Sequence, residues 1–338
     1  MRHSAPETPP ARPEVLIFAT GGTIGMRETE RGLAPDPGFE EALEQLVQRI
    51  CEPLGIDYRI NHLSPAIDSA NADAETGARI ARAVRARVRT KRPSGVVITH
   101  GTDTLAYTGA RIAFDLDSLG VPVVLTGSQL AHGAPDSDAP ANLSLAIRAA
   151  VKASADAPAC IAFGGALMPA IRATKAQAED LRAFRAERNL GPDPSGVPKQ
   201  LLHGSDRLTP ARTLAFRFVL GVVAEDLRAA VGGNPDGLVL ECYGSGNAPM
   251  ARPGMAEALR EICARMPVVA ITQCSTGSVD PGRYAVGSEL ADTGVIAGGD
   301  MTAEAALAKL AFALDAGLGG AQLRDFMLSN IVGERAAA

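Results

Sequence analysis

The sequence predicts an α/β protein of two domains: a larger N-terminal domain on a parallel-type sheet, then a smaller C-terminal α/β domain. Three observations carry that expectation. Short apolar runs alternate with helical stretches along the whole chain, and strand–helix–strand in this order builds parallel sheets with right-handed crossovers. The apolar runs are continuous, as in strands that helices cover on both faces. A stretch beginning at Leu190, LGPDPSGVPKQLLHGSDRLTPA, is dense in Pro, Gly and Ser and lacks apolar periodicity, which suits a linker within 338 residues. The expected boundaries are 14–190, 191–212 for the linker, and 213–338.

The elements follow in order. Strands are expected at Val15 to Ala19, Gly95 to Thr99, Val121 to Thr126, Cys160 to Gly164, Leu238 to Cys242 and Val268 to Thr272. Helical patterns lie near 39–52, 74–90, 105–118, 141–154, 255–265 and 302–316. The basic run of Arg79, Arg82, Arg85, Arg87, Arg89, Lys91 and Arg92 encloses Ile80, Val84 and Val88, four apart on one helix face, so it reads as a solvated face.

Composition narrows the function. A hydrophobic fraction of 46% and a charged fraction of 21% are those of an ordinary globular protein. A formal net charge of −5 gives no field to draw in nucleic acid or anionic lipid, so neither is expected as a partner. Five cysteines without a CxxC pair suggest reduced thiols in a cytoplasm. The first fourteen residues are polar and proline-rich, with no apolar core of a secretory signal, and are expected to be a disordered tail. No run of 18 apolar residues occurs, so no membrane span is expected.

In parallel α/β sheets ligands sit beyond the carboxyl ends of the strands, and the informative residues stand there. ATGGTIGM (19–26) follows the first strand, with Gly21 and Gly22 freeing the backbone to present Thr23. Three readings stay open for it: a catalytic threonine, a structural turn, or a phosphate loop, although neither GxGxxG nor GxxxxGK[ST] is present. THGTDT (99–104) gathers Thr99, His100, Thr102 and Asp103 at a second strand end. Asp103 can cap the next helix, and His100 reads as a buried hydrogen-bonding residue, since no metal-ligand spacing such as HExxH occurs. Lys175, in IRATKAQAED, is a solvent-facing charge or the base for a nearby hydroxyl.

ATGGTIG and THGTDT, in this order about eighty residues apart, resemble the two signatures of the bacterial L-asparaginase family. The similarity extends to TGSQ (126–129), TKA (174–176), YGSGNAP (243–249), TQC (272–274) and DMTAEA (300–305), essentially the whole chain from residue 14. The last three segments are similar to the cytoplasmic type I branch. The resemblance implies hydrolysis of L-asparagine to L-aspartate and ammonia through a threonine acyl-enzyme, with no metal or organic cofactor. It makes Thr23 the nucleophile and Thr102, Asp103 and Lys175 a proton relay. Asp103 would also pair with the substrate α-ammonium, and Ser69, in IDSAN, would hold its α-carboxylate. It further implies a homodimer or homotetramer, with Asn247 entering the site from a neighbouring subunit.

Two departures bear on function. The family's mobile loop carries a tyrosine, where RETERGLAPDP here has Leu33. Either the Thr102–Asp103–Lys175 relay with a bound water activates Thr23 directly, or another loop or subunit supplies a substitute, with Tyr243 and Tyr284 as candidates. Some type I members have an arginine just before YGxGNAP that binds an activating asparagine; Glu241 and Cys242 stand there, so that activation is not expected. The competing readings are an amidase for another amide such as L-glutamine or a tRNA-bound amide, and a non-catalytic amino-acid sensor on the same fold.

Overall fold

The first apolar run, EVLIFATG, forms β1 (Glu14–Gly21), and its side chains alternate between two buried faces. The computed structural model describes residues 12–30, 32–190, 210–279 and 289–336. After β1 come a hairpin, β2 (Met26–Thr29) and β3 (Gly32–Pro35), then α1 (Phe39–Cys51), β4 (Asp57–Ile67), α2 (Thr76–Lys91), β5 (Gly95–Thr99) and α3 (Leu105–Asp115). β6 (Val123–Thr126), α4 (Ala139–Lys152), β7 (Cys160–Phe163), β8 (Ala166–Pro169), β9 (Thr174–Lys175) and β10 (Phe184–Arg185) complete the N-terminal part. The C-terminal part holds β11 (Thr213–Arg217), α5 (Ala224–Ala230), β12 (Gly237–Cys242), α6 (Met255–Cys263), β13 (Val268–Thr272), β14 (Ile296–Ala297), α7 (Ala303–Asp315) and α8 (Gly320–Leu328).

The larger domain carries a six-stranded sheet in the order β4-β1-β5-β6-β7-β8. Every pairing in it is parallel except β7 with β8, a tight antiparallel return. Leu16 and Phe18 face Ile80, Val84 and Ile112 of α2 and α3, whereas Val15 and Ile17 face Leu43, Val47 and Ile147 of α1 and α4. Helices on both faces explain why β1 and β5 are apolar throughout. The smaller domain is a parallel four-stranded sheet, β11-β12-β13-β14, with α5 and α6 on one face and α7 and α8 on the other.

The structure adds elements absent from the sequence reading: β2–β3, β4, β8 to β11, β14, α5 and α8. β4 reads DYRINHLSPAI, too polar for a core strand, and it is the mostly exposed edge of its sheet, where charge discourages further pairing. Most of the expected linker, 191–209, lies outside the described residues, as does Tyr284. On α2, Ile80, Val84 and Val88 are buried while Arg87, Arg89 and Lys91 are exposed, the solvated face that their spacing predicts. Among the described residues no helix is long and apolar enough to cross a membrane.

α3 is buried on nearly every side because it lies between the two domains. Leu105, Ala106 and Ile112 belong to the core of the larger sheet; Ala110, Ala113 and Phe114 belong to the core around α7. Phe114 stacks on Phe312 at a centroid distance of 5.6 Å. Arg111 lies between Asp115 of its own helix and Asp315 of α7, 2.8 Å from each. The second oxygen of Asp315 accepts the backbone N–H of Ala211 at 2.6 Å, so one ion network ties α3, α7 and the start of the C-terminal part.

A second buried pair holds the chain end. Lys309 and Glu334 are both fully buried, with Nζ 2.5 Å from Oε1. Burial pushes the lysine down to about 8, against the opposing pull of the Glu334 carboxylate. Lys309 also donates to the carbonyls of Met327 and Ser329, and Glu334 accepts from the N–H groups of Ile331 and Val332. Removing one partner leaves an uncompensated buried charge. Glu334→Ala is therefore expected to cost about 3–5 kcal/mol in denaturant unfolding. Lys309→Met combined with Glu334→Leu should recover most of that loss; a single variant as stable as wild type would contradict the account.

Candidate active site

β4, β1 and β5 run parallel and side by side, so their carboxyl ends open at one place on the sheet edge. The Thr20 hydroxyl at the end of β1 donates to the Thr99 carbonyl at the end of β5, 2.7 Å away, and locks the two ends together. Each strand then releases a short loop, and all three carry residues picked out in the sequence.

Beyond β1 the chain makes a 3-10 turn, Thr23–Gly25, closed by the Gly25 N–H on the Gly22 carbonyl at 2.9 Å. Gly22 is obligatory for two reasons. Its φ is +91°, and a Cβ there would lie 2.3 Å from the Gly101 nitrogen. The turn carrying Thr23 is thus pressed onto the backbone that leads to Thr102. Thr23 is half-buried, and among the described residues its hydroxyl has no hydrogen-bond partner.

Beyond β4, Ser69 opens a second 3-10 turn, Ser69–Asn71, whose first residues are capped by Asp68. Ser69 is buried against Gly101, where a Cβ would fall 2.3 Å from its Oγ. The Thr104 hydroxyl donates to the Ser69 carbonyl at 2.8 Å and fixes this turn to the third loop. Glycine at 22 and at 101 is what lets Thr23, Ser69 and Thr102 share one small space.

Beyond β5 come His100, Gly101, Thr102 and Asp103. His100 is fully buried, and burial depresses its pKa, so the ring is neutral. Its Nδ1 is 2.8 Å from the Gly101 carbonyl, which can only accept; that places the proton on Nδ1 and leaves Nε2 to accept from the Thr108 hydroxyl at 3.2 Å. Both ring nitrogens are therefore used in bracing the loop, as the sequence reading expected.

Lys175 arrives from the other side. Its strand β9 pairs with β10, where buried Phe184 anchors the hairpin, and Thr174 donates to Glu304 of α7 at 2.7 Å. The lysine Nζ donates to the Thr102 hydroxyl and to Asp103 Oδ1, each at 2.8 Å. Its side chain is 20% exposed and that of Asp103 62% exposed, so much of the Asp103 side chain stays open to solvent beside the lysine. The three-residue cluster seats a buried hydroxyl between a cation and a backbone braced by His100.

The structure thus brings Thr102, Asp103 and Lys175 into direct contact, with Ser69 and the turn of Thr23 on the same Gly22–Gly101 junction. It does not bring Asn247 to them within one chain. Asn247 sits in a tight hairpin after β12, exchanging backbone hydrogen bonds of 2.8 Å with Tyr243. Three contributors had no role in the sequence reading. Gln129, the last residue of TGSQ, donates to the Ala178 carbonyl beyond Lys175, and Asp138 accepts from the N–H of Gln129 and Leu130. His132 touches the Thr23 turn through the Ile24 carbonyl. Among the described residues no group of three His, Cys, Asp or Glu side chains is placed to hold a metal.

Comparison with known proteins matches the chain along nearly its whole length. Residues 14–192 match the model of an asparaginase N-terminal domain, and 214–327 that of a glutaminase/asparaginase C-terminal domain. L-asparaginase 1 of Escherichia coli K12 is 33% identical over 335 residues, covering 95% of this chain and 97% of the relative. L-asparaginase of Thermococcus kodakarensis is 35% identical over 95% of this chain and 98% of its own. Its solved thermostable form superposes with a TM-score of 0.79 over 96% of this chain and 100% of its own. L-asparaginase I of Vibrio cholerae superposes at 0.81, with 30% identity, over 96% of this chain and 99% of its own.

Proposed function

Because the chain belongs to the asparaginase family through both of its domains, we propose that it hydrolyses L-asparagine to L-aspartate and ammonia on a Thr23 acyl-enzyme. The observation that carries this reading is the Lys175 ammonium held 2.8 Å from both Thr102 and Asp103, beside the turn that presents Thr23.

The chemistry follows from the residue types. The Thr23 oxygen attacks the side-chain amide carbon, and a threonine hydroxyl is a poor nucleophile until a neighbour takes its proton. Thr102 and Lys175 supply the path by which that proton reaches the departing nitrogen. The C–N bond breaks, ammonia leaves, and an ester forms on Thr23. Water then adds to the ester carbon, returns a proton to the Thr23 oxygen and releases aspartate. The Asp103 carboxylate pairs with the substrate α-ammonium, and Ser69 binds the α-carboxylate. Recognition of both α-groups confines the reaction to α-amino acid amides.

Three further parts belong to this reading. The site is completed in a homodimer or homotetramer by Asn247 of a neighbouring subunit. The division into 14–190 and 213–338 separates the nucleophile-bearing domain from the domain that supplies Asn247. The chain works in the cytoplasm, in keeping with its unpaired cysteines.

The experiment is ammonia release from a panel of L- and D-amides with the full-length chain. L-Asparagine should have the highest kcat/KM, and simple aliphatic amides should not turn over. Better kcat/KM on L-glutamine would favour the broader amidase, and release from no amide would favour the sensor.

A further inference from the structure

We propose that His132 is a positioning residue that clips the Thr23 turn to the end of the β2–β3 hairpin. The proposal rests on the reading of Thr23 as the nucleophile. His132 lies in the loop after β6, and its Nδ1 is 3.1 Å from the carbonyl of Ile24, the residue after Thr23. Its Nε2 is 3.5 Å from Asp36 Oδ2, at the far end of the β2–β3 hairpin. The ring packs against Phe39 with centroids 5.5 Å apart, and Phe39 in turn lies 3.0 Å from where a Cβ on Gly25 would stand.

Asp36 completes the circuit. Its N–H donates to the Gly25 carbonyl at 2.9 Å, and its Oδ1 accepts from the Gly38 N–H at 3.0 Å at the start of α1. The hairpin therefore leaves the Thr23 turn at Gly25, runs out and back through β2 and β3, and returns to the same residue through Asp36. His132 bridges the two ends of that excursion from an independent element. A pocket of about 310 Å³ lies beside it, between the hairpin and the 129–135 loop, lined by Arg27, Glu28, Leu33, Asp36 and His132.

This contact matters because, among the described residues, no side chain bonds the Thr23 hydroxyl itself. The Thr23 hydroxyl has no partner among the described residues, so its direction is set by the backbone of the Gly22–Gly25 turn. That turn is fixed at its start by the Gly22–Gly101 contact. At its end it is fixed by Asp36, Phe39 and His132. A carbonyl only accepts, so Nδ1 carries the proton in this bond, and Nε2 faces the Asp36 carboxylate. Loss of the clip frees the end of the turn, and small displacements of a reacting group are costly in rate.

The test uses the full-length enzyme with L-asparagine. His132→Ala should lower kcat by about 10- to 100-fold with KM little changed. Backbone amides of 24–36 should exchange faster with solvent. His132→Asn, whose amide can still donate to the Ile24 carbonyl, should regain most of the rate. Wild-type kcat in His132→Ala overturns the proposal, and so does a drop that His132→Asn fails to relieve. A lowered melting temperature with unchanged kcat and unchanged exchange at 24–36 overturns it as well, because His132 is then only a packing residue. Thr23→Ala serves as the control: if that variant keeps its turnover, the nucleophile reading fails and the clip with it. If it is inactive while His132→Ala is normal, only the clip fails.

Discussion

Thr23→Ala is expected to retain less than about a thousandth of wild-type kcat on L-asparagine, the scale seen when a covalent nucleophile is removed. Its fold should be unchanged. Thr23 is half-buried, and among the described residues its hydroxyl bonds to nothing, so alanine removes no hydrogen bond and little packing. The 3-10 turn is closed by backbone groups of Gly22 and Gly25, which the substitution leaves in place. Stability in denaturant should therefore match wild type within about 0.5 kcal/mol, as for most substitutions away from packed or bonded positions. Thr23→Ser keeps the oxygen and should keep measurable turnover. Ammonia release by Thr23→Ala at more than a few per cent of the wild-type rate would remove Thr23 from the chemistry. It would leave Thr102, the buried hydroxyl on Lys175, as the next candidate.

How much of this was legible in the chain depended on whether local pattern or long-range contact decides the feature. The central strands and the helices that cover them are written in continuous apolar runs and four-residue spacing. β1, β5, β7, β12 and β13 accordingly lie within a few residues of where the sequence places them. β4 is held by its pairing with β1 and not by its own hydrophobicity, and β14 is only Ile296–Ala297, so neither has a periodic signature. In the site, Thr23, Thr102 and Asp103 were visible because they stand in motifs at strand ends, whereas Lys175 takes its role only from the resemblance of its TKA segment to the family. Geometry adds what holds them. Gly22 against Gly101 joins residues 79 apart in sequence, and the Lys175 bond to Thr102 spans 73. His132 had no signal of its own, since a lone histidine between glycine and alanine has no pattern to read. Its contact with Ile24 crosses 108 residues of chain.

Lys175→Met is expected to lower kcat by about 10²–10⁴-fold, the range for loss of a positioned acid–base group. Methionine fills much of the same volume and keeps the aliphatic stem, so β9 and its pairing with β10 should persist. What disappears is the single nitrogen that reaches both Thr102 Oγ1 and Asp103 Oδ1 at 2.8 Å. The buried Thr102 hydroxyl then loses its partner, and Asp103 loses the contact that holds its carboxylate. The first effect falls on kcat; the second should raise KM, because the substrate ammonium meets a less constrained carboxylate. Lys175→Arg should not restore the rate. A planar guanidinium is longer than an ammonium on the same path, and it cannot act as a compact proton carrier between two oxygens so close together. A cycle with Thr102→Val separates a shared relay from two independent contacts. If Thr102 and Lys175 move one proton together, the double variant should be about as slow as the worse single one. Fully multiplicative losses would mean that the 2.8 Å contact between them is structural and that the proton leaves by another route.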